Sequence, residues 1–230
     1  MNKPYVSVII PAYLEEQNLR LILPRVIKVL SGIGKLYEVI VVDTERSMDN
    51  TAMVCRECGA IHVHREGGND YYNAVVTGIN VAKGENMIFM DADGSHTPEF
   101  IPRLIERAPN YDVVIASRYI DGGATDNKIY LVLMSRLINI VYSVVLGLKC
   151  RDVSNSFKLY KSDQLKQLKL KCRNFDIIEE ILFKLHRNKK GLMIMEIPFT
   201  FKERMFGHTK RNLLSFAISY IISLIKLRLS

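Results

Sequence analysis

The sequence has 230 residues, of which 48% are hydrophobic and 24% are charged, and its formal net charge is +8. This length and composition are typical of one globular domain with a sizeable core, and they exclude an intrinsically disordered chain. The positive charge predicts an anionic partner such as nucleic acid, a phosphorylated substrate or an acidic membrane face. The chain enters a strand-like run almost at once, without a charged and apolar leader, so we expect no signal peptide.

The four cysteines are expected to be reduced thiols. Cys55 and Cys58 form a C-x-x-C pattern within a helix-like stretch, but no second close pair completes a zinc site. Structural thiols are therefore favoured over a metal or redox site.

Short apolar runs alternate with amphipathic stretches throughout the first half of the chain. The predicted strands are Val6–Ile10, Glu38–Val42, Ile61–His64, Asn86–Met90 and Asp112–Ala116. The predicted helices are Glu16–Leu30, interrupted at Pro24, then Asp49–Gly59, Tyr72–Ala82 and Pro98–Arg107. Strands that are apolar throughout and alternate with helices indicate an α/β fold, with a mostly parallel sheet covered by helices on both faces.

Two later segments are long and apolar. Ile129–Leu148 carries a polar stripe of Ser135, Asn139 and Ser143, so we expect an amphipathic helix rather than a membrane span. Residues 212–230 repeat this pattern with Ser215, Ser219 and Ser223, and their uninterrupted apolar stretch is too short to cross a bilayer. We predict a globular domain over 1–211 and a C-terminal amphipathic helix over 212–230, for which association with membranes is favoured over packing into the protein's own core.

Polar residues follow the predicted strands at their carboxyl ends, where ligands bind in parallel α/β sheets. The endings are Pro11-Ala-Tyr-Leu-Glu15, Asp43, Asp91-Ala-Asp93 and Ser117-Arg118. Two acids one residue apart at a rigid strand end can hold a hard divalent cation that bridges a diphosphate. A pair of surface acids in a turn is the alternative, but its position after a buried strand favours the metal site.

These motifs and their order resemble the family 2 nucleotide-sugar glycosyltransferases, and most of all the dolichyl- and polyprenyl-phosphate sugar transferases. The resemblance extends over nearly the whole chain. It is carried by Val6–Tyr13, Val41–Asp43, Asp91–His96, Ser117–Tyr119 with Gly122-Gly123, Asp152–Lys158, Ile197–Phe201 and Arg204–Lys210.

The resemblance implies an A-type, Rossmann-like glycosyltransferase fold and a set of site residues. Pro11, Tyr13, Glu15, Asp43 and Asp91 would bind the nucleotide. Asp91 and Asp93, with Ser95 assisting, would bind Mg²⁺ or Mn²⁺. The catalytic group would comprise Asp93, Arg118, Arg204 and Lys210, and the acceptor would contact Ser135, Arg118 and Arg204. His96 beside the D-x-D motif and His208 in the basic loop are candidates for phosphate contacts by position, but a structural role is favoured for both.

Several positions depart from the family pattern. Thr44 follows Asp43 where a second Asp is usual, and Leu14 follows Tyr13 where Asn is frequent. An arginine common a few residues before Ser135 is replaced by an apolar residue, Leu131 or Val132. Because these changes cluster around recognition of the base and the acceptor, they leave the donor and the acceptor class open.

The leading hypothesis is an inverting enzyme that moves a hexose from GDP-mannose or a UDP-sugar to a polyprenyl or dolichyl phosphate. It would lie peripherally on the cytoplasmic membrane face, with a membrane protein as a possible partner. The first alternative is transfer to a glycan or glycolipid hydroxyl, with Glu179 or Glu180 as a candidate base, although an ordinary helix face is favoured for both. The second is an inactive sugar-nucleotide binder. A nucleic-acid-binding module is disfavoured, because the aromatic residues do not interleave with the basic ones.

Overall fold

The computed structural model describes residues 3–172, 175–207, 220 and 222–228. Its strands are β1 (Val6–Pro11), β2 (Tyr37–Asp43), β3 (Ile61–His64), β4 (Asn86–Phe89), β5 (Val113–Ser117), β6 (Ala124–Thr125), β7 (Lys158–Lys161), β8 (Ile194–Pro198) and β9 (Thr200–Phe201). Its helices are α1 (Glu16–Ser31), α2 (Thr51–Cys58), α3 (Tyr71–Val81), α4 (Ile101–Arg107), α5 (Ile129–Leu146), α6 (Ser162–Lys166) and α7 (Ile177–Asn188). Residues 222–228 are also helical.

The centre of the molecule is a seven-stranded sheet in the order β3-β2-β1-β4-β7-β5-β8. All neighbouring pairs are parallel except the two that involve β7, which runs antiparallel to both β4 and β5. A separate two-stranded sheet pairs β6 with β9. The predicted α/β class with a mostly parallel sheet is confirmed.

Helices cover both faces of the large sheet. On one face, alternate strand residues such as Val8 and Ile10 pack with apolar residues of α1, α2 and α4. On the other face, Ile9 and its counterparts pack with α3, α5, α6 and α7. Since successive strand side chains point to opposite faces, strands buried on both sides are apolar at nearly every position.

The predicted interruption of the first helix is wrong. α1 runs continuously from Glu16 to Ser31 with Pro24 inside it. The helix buries Leu19, Ile22, Leu23, Val26 and Leu30 against the sheet. This packing compensates for the hydrogen bond that the proline cannot donate.

The predicted C-terminal helix lies partly outside the described residues. Within the described part, Tyr220, Ser223 and Leu227 are buried, whereas Ile222 and Ile225 are about half exposed. The Tyr142 hydroxyl of α5 donates to the Tyr220 carbonyl at 2.7 Å, and Ser223 donates to Asp176. Ser223, the one described member of the predicted polar stripe, therefore faces the protein.

Candidate active site

The site lies at the carboxyl edge of the large sheet, where the predicted residues converge. β1 ends at Pro11, β2 at Asp43 and β5 at Ser117, and β4 is followed by the Asp91–Asp93 turn. The loop that precedes β7 reaches the same edge, because β7 runs antiparallel to its neighbours. Residues far apart in the sequence are thus brought to one crevice.

The two acids of the D-x-D motif are partly exposed and held in fixed orientations. Asp91 accepts a hydrogen bond from the Ser156 hydroxyl at 3.0 Å. One oxygen of Asp93 accepts from the Ser95 amide at 3.0 Å and from the Ser95 hydroxyl at 2.5 Å. The other oxygen of Asp93 lies 3.2 Å from the guanidinium of Arg204.

These oxygen ligands fit a hard divalent cation. Carboxylate and hydroxyl oxygens are what Mg²⁺ and Mn²⁺ prefer, and Oδ2 of Asp93, the oxygen that does not contact Ser95, already lies against the cationic guanidinium of Arg204. Asp91 and Asp93 would hold the metal, with Ser95 close enough to assist. When bound, such a metal neutralises charge on a diphosphate leaving group.

Arg204 joins the predicted metal and nucleotide residues. It donates to Glu15 at 2.8 and 3.1 Å while it contacts Asp93. Burial alone would lower the pKa of Arg204, but the hydrogen bond to Glu15 and the charges of Asp93 and Asp91 raise it. Arg204 thus carries a permanent positive charge between two carboxylates.

The 202–207 segment crosses the site over the D-x-D turn. The Lys202 amide donates to the Ser95 carbonyl at 3.1 Å, and the Met205 amide donates to the Asp93 carbonyl at 2.9 Å. Gly94 has a φ of 85°, and a Cβ at this position would collide with the Met205 side chain. The glycine permits both the turn and the close approach of this segment.

Arg118 is buried and paired with Asp152. Its guanidinium donates to both Asp152 oxygens, at 2.8 and 2.7 Å, and to the Ser154 hydroxyl at 3.0 Å. Burial opposes the charge, but the Asp152 carboxylate outweighs it and raises the pKa of Arg118. Arg118 orders the loop before β7, and its predicted catalytic and acceptor-binding roles stay predictions.

Ser135 lies half-buried on α5, one turn before Asn139. The side-chain amide of Asn139 donates to the Ser135 carbonyl at 2.8 Å and to the Ser154 hydroxyl at 2.9 Å. The backbone amide of Ser154 donates to Oδ1 of Asn139 at 2.9 Å. The buried face of α5 is therefore linked through Ser154 to Arg118.

The predicted nucleotide residues surround the ends of β1 and β2. Asp43 and Glu15 are buried, and Pro11 and Tyr13 are partly exposed. A cleft of about 310 Å³, which Glu15 lines, lies between the start of α1 and the 204–207 segment. Lys210 and His208, also predicted at the site, lie outside the described residues.

Sequence reasoning missed three structural features of the site. His96 is fully buried, and its ring contacts the Asp91 amide at 2.9 Å and Asn155 at 3.1 Å. Burial lowers the pKa of His96, and the ring accepts the Asp91 amide proton and so holds the D-x-D turn in place. The buried Lys158 donates to the Val153 carbonyl at 2.8 Å and to the Asn155 carbonyl.

His62 and His64 lie beside Asp43, a contact that their i, i+2 spacing on a strand next to β2 could have indicated.

Glu179 and Glu180, the candidate bases for a hydroxyl acceptor, lie on a face of α7 that packs inside the protein. Both are buried on α7. Glu180 accepts from the Lys171 and Cys172 amides and pairs with Lys184 at 2.6 Å. Glu179 accepts from the Tyr220 hydroxyl at 2.9 Å.

Two known proteins have sequences similar to this chain. Dolichol-phosphate mannosyltransferase of Pyrococcus furiosus is 35% identical over 214 residues, which cover 89% of this chain and 58% of that protein. Undecaprenyl-phosphate mannosyltransferase of Micrococcus luteus is 32% identical over 219 residues, which cover 90% of this chain and 87% of that protein. The chain thus spans less than two thirds of the Pyrococcus relative.

A solved structure shares the fold. Glucosyl-3-phosphoglycerate synthase of Mycobacterium tuberculosis, in complex with Mn²⁺, UDP and glucosyl-3-phosphoglycerate, superposes with a TM-score of 0.71 at 18% identity. The match covers 97% of this chain and 80% of that one. The expected A-type glycosyltransferase fold is confirmed. The sequence profile of glycosyl transferase family 2 matches residues 7–169. The chain therefore belongs to glycosyl transferase family 2.

Proposed function

We propose that this chain transfers a hexosyl group from a nucleoside-diphosphate sugar, GDP-mannose or a UDP-sugar, to a polyprenyl phosphate, with inversion at the anomeric carbon. The names of both sequence relatives describe transfer to a polyprenyl or dolichyl phosphate. The Mn²⁺ and UDP of the similar solved structure support a metal-assisted reaction with a nucleotide donor.

In this reaction, an oxygen of the acceptor phosphate forms a bond to the anomeric carbon as the bond to the donor diphosphate breaks. The acceptor phosphate is ionised at neutral pH, so no side chain has to remove a proton. Catalysis then depends on orientation and on positive charge around the leaving group. Arg204 is suited to this role because its guanidinium is charged and lies against Asp93. A metal bound to Asp93 would free Arg204 to contact phosphate.

The main support for a lipid acceptor comes from helix α5, whose two faces differ in their surroundings. Its buried face contacts the Arg118 loop through Asn139 and Ser154. Its other face exposes a row of large apolar side chains: Ile129, Tyr130, Leu133, Leu137, Ile140, Val141, Val144 and Val145. An acceptor with a hydrocarbon tail and a phosphate head would have its tail at the apolar face of α5 and its phosphate near the Arg118 loop.

We infer that α5 lies in the surface of a membrane. In the described part of the chain, α5 is the one helix long and apolar enough to cross a bilayer. Its contacts to the protein through Asn139, Tyr142 and Leu146 favour an interfacial position. Exposed cations at Lys128, Arg136, Lys149 and Arg151 complement an anionic surface, each by about 1 kcal/mol. The cytoplasmic face, where anionic lipids are frequent, suits this charge.

The two alternatives have less support. A hydroxyl acceptor needs a base, and both candidates, Glu179 and Glu180, are buried and engaged in other hydrogen bonds. An inactive binder would be favoured if Thr44 had disturbed the loop after Asp43. However, the Thr44 hydroxyl donates to the Arg46 carbonyl at 2.6 Å, which orders this loop.

A transfer assay tests the proposal. The full chain is incubated with polyprenyl phosphate in detergent, a set of radiolabelled GDP- and UDP-hexoses, and Mn²⁺ or Mg²⁺. We expect one donor to give a labelled lipid product, which EDTA abolishes and added metal restores. Binding of a nucleotide sugar without any labelled lipid would favour the inactive binder, and undiminished transfer in EDTA would remove the metal from the mechanism.

A further inference from the structure

Three side chains that bind transition metals in many proteins lie together at the edge of the large sheet. Asp43 ends β2, and His62 and His64 lie on the edge strand β3, with Asp43 in register with His64. Residues two apart on a strand point to the same face, so both imidazoles lie on the side of the sheet that carries Asp43. Asp43 is 1% exposed and His64 is exposed, which gives an ion a path from solvent.

The distances between the donor atoms are close to those of a metal site. Nε2 of His62 lies 3.0 Å from Oδ2 of Asp43. One ligand atom from each of Asp43, His62 and His64 lies within 4.8 Å of the other two. Bonds of about 2.0–2.2 Å in tetrahedral geometry separate neighbouring ligands by roughly 3.3 Å, so small side-chain movements would complete the site.

Neighbouring backbone groups orient these ligands. The Thr44 amide donates to Oδ1 of Asp43 at 2.7 Å, which leaves Oδ2 facing His62. Nδ1 of His64 lies 2.7 Å from the Thr44 carbonyl, to which it donates its proton. Nε2 of His64 then keeps the lone pair that a metal requires. Metal-binding histidines are usually held in this way by a carbonyl or a carboxylate.

We propose that Asp43, His62 and His64 bind a transition-metal ion of the Zn²⁺ class at a site separate from Asp91 and Asp93. Two imidazoles and one carboxylate suit Zn²⁺ or Co²⁺, whereas the oxygen ligands of the D-x-D turn suit Mg²⁺ and Mn²⁺. Water would fill the remaining coordination position. The chain would thus carry two cation sites of different chemistry.

This second site has a consequence for donor binding, which rests on the proposed function. Asp43 is also the residue proposed to bind the nucleotide. An oxygen that coordinates a metal cannot at the same time accept a hydrogen bond from the nucleotide in the same geometry. Zn²⁺ and the nucleotide would therefore compete, and micromolar zinc would inhibit transfer.

Titration of the full chain with Co²⁺, without nucleotide, tests the site through the visible absorption of the bound ion. We expect one Co²⁺ per chain with bands of a four- or five-coordinate ion. His64→Gln should weaken binding at least about tenfold and, because His64 is exposed, should leave the fold intact. His62→Gln should do the same. Thermal melts of both variants show whether they fold.

Two control variants separate this site from other metal ligands. Asp93→Asn removes the proposed catalytic metal site, and His186→Gln removes a histidine on α7; both should keep the Co²⁺ bands. Absence of the bands, or bands unchanged by His62→Gln and His64→Gln, would overturn the proposal, as would their loss in Asp93→Asn. If Co²⁺ binds as expected but Zn²⁺ leaves the affinity for UDP and GDP unchanged, the metal site stands and the nucleotide role of Asp43 is wrong.

Discussion

Arg204 contacts two carboxylates that the sequence assigned to different tasks, Glu15 to the nucleotide and Asp93 to the metal. Without substrate, the positive guanidinium of Arg204 offsets the negative charge of Asp93, which a bound metal ion would otherwise offset. The D-x-D motif could be recognised from the sequence because its acids directly follow an apolar strand. The contact between Asp93 and Arg204 could not be recognised from the sequence, since the two residues are more than a hundred positions apart.

The first prediction concerns the metal carboxylate. Asp93→Asn keeps the size of the side chain but removes its charge, so transfer should fall about a hundredfold or more. The melting temperature should change little, because Asp93 lies at a partly exposed turn. Steady-state transfer assays measure the effect. Asp121→Asn, at a fully exposed carboxylate, is the control and should keep full activity; an equal loss in both variants would contradict the role of Asp93.

The second prediction concerns Leu14, which has a φ of 55°. A left-handed backbone costs an ordinary residue about 1–2 kcal/mol, whereas Asn tolerates it. Leu14→Asn should therefore raise the free energy of unfolding by about 1 kcal/mol, as measured by urea denaturation. Leu21→Asn makes the same change on the exposed side of α1 and should lower stability by a few tenths of a kcal/mol. Equal effects at the two positions would show that the backbone at Leu14 is not strained.

At the scale of elements, the third prediction concerns α5 and the membrane. Leu137 and Val144 are 63% and 75% exposed on its apolar face. A double change to Glu should abolish flotation of the full chain with anionic vesicles, since it places two charges in the interface. Leu36→Glu with Met48→Glu, at exposed apolar residues elsewhere, is the matched control and should still float. High salt should weaken binding of the unmodified chain; flotation that survives the α5 changes would contradict the interfacial position.

Elements with a strong local pattern were predictable, and those that depend on distant partners were not. Ile61–His64 agrees with the predicted strand, and Ile129–Leu146 ends two residues before the predicted end. β7 is four residues long and takes its place only by pairing with β4 and β5. Pro24 predicted a break in α1, but burial of the helix against the sheet overrides this local signal. The polar stripe of α5 could be predicted from the sequence, whereas the exposure of its apolar face depends on the fold.

At the scale of the whole molecule, the fourth prediction concerns pH and the buried Glu179. Burial raises the pKa of this carboxyl from 4.5 to about 7. A group whose pKa is higher in the folded than in the unfolded chain stabilises the protein at pH values below its unfolded-state pKa. This contribution is lost as the pH rises through the folded-state pKa. The contribution of Glu179 to the free energy of unfolding should thus fall between about pH 4.5 and 7, by at most about 3 kcal/mol. Burial lowers the pKa of Lys158 to about 8, so this lysine stays charged across most of that window.

Urea denaturation at several pH values measures this term. Glu179→Gln removes the titrating group, so the free energy of unfolding of this variant should increase relative to that of the unmodified chain from pH 5 to pH 7. An effect of the substitution that is the same at every pH, such as an altered hydrogen bond to Tyr220, does not change this dependence on pH. Parallel pH profiles for the two proteins would show that Glu179 does not titrate in this range.

The central claim is that the acceptor is a phosphate carried by a lipid, and a paired-acceptor assay tests it most directly. The full chain, its preferred nucleotide sugar and Mn²⁺ are supplied with vesicles that contain either a polyprenyl phosphate or the polyprenol of the same length. Because the candidate bases Glu179 and Glu180 are buried and engaged in other hydrogen bonds, whereas the charged Arg204 is partly exposed, we expect transfer to the phosphate alone. Transfer to the polyprenol at a comparable rate, or to a glycolipid hydroxyl in place of the phosphate, would contradict this account.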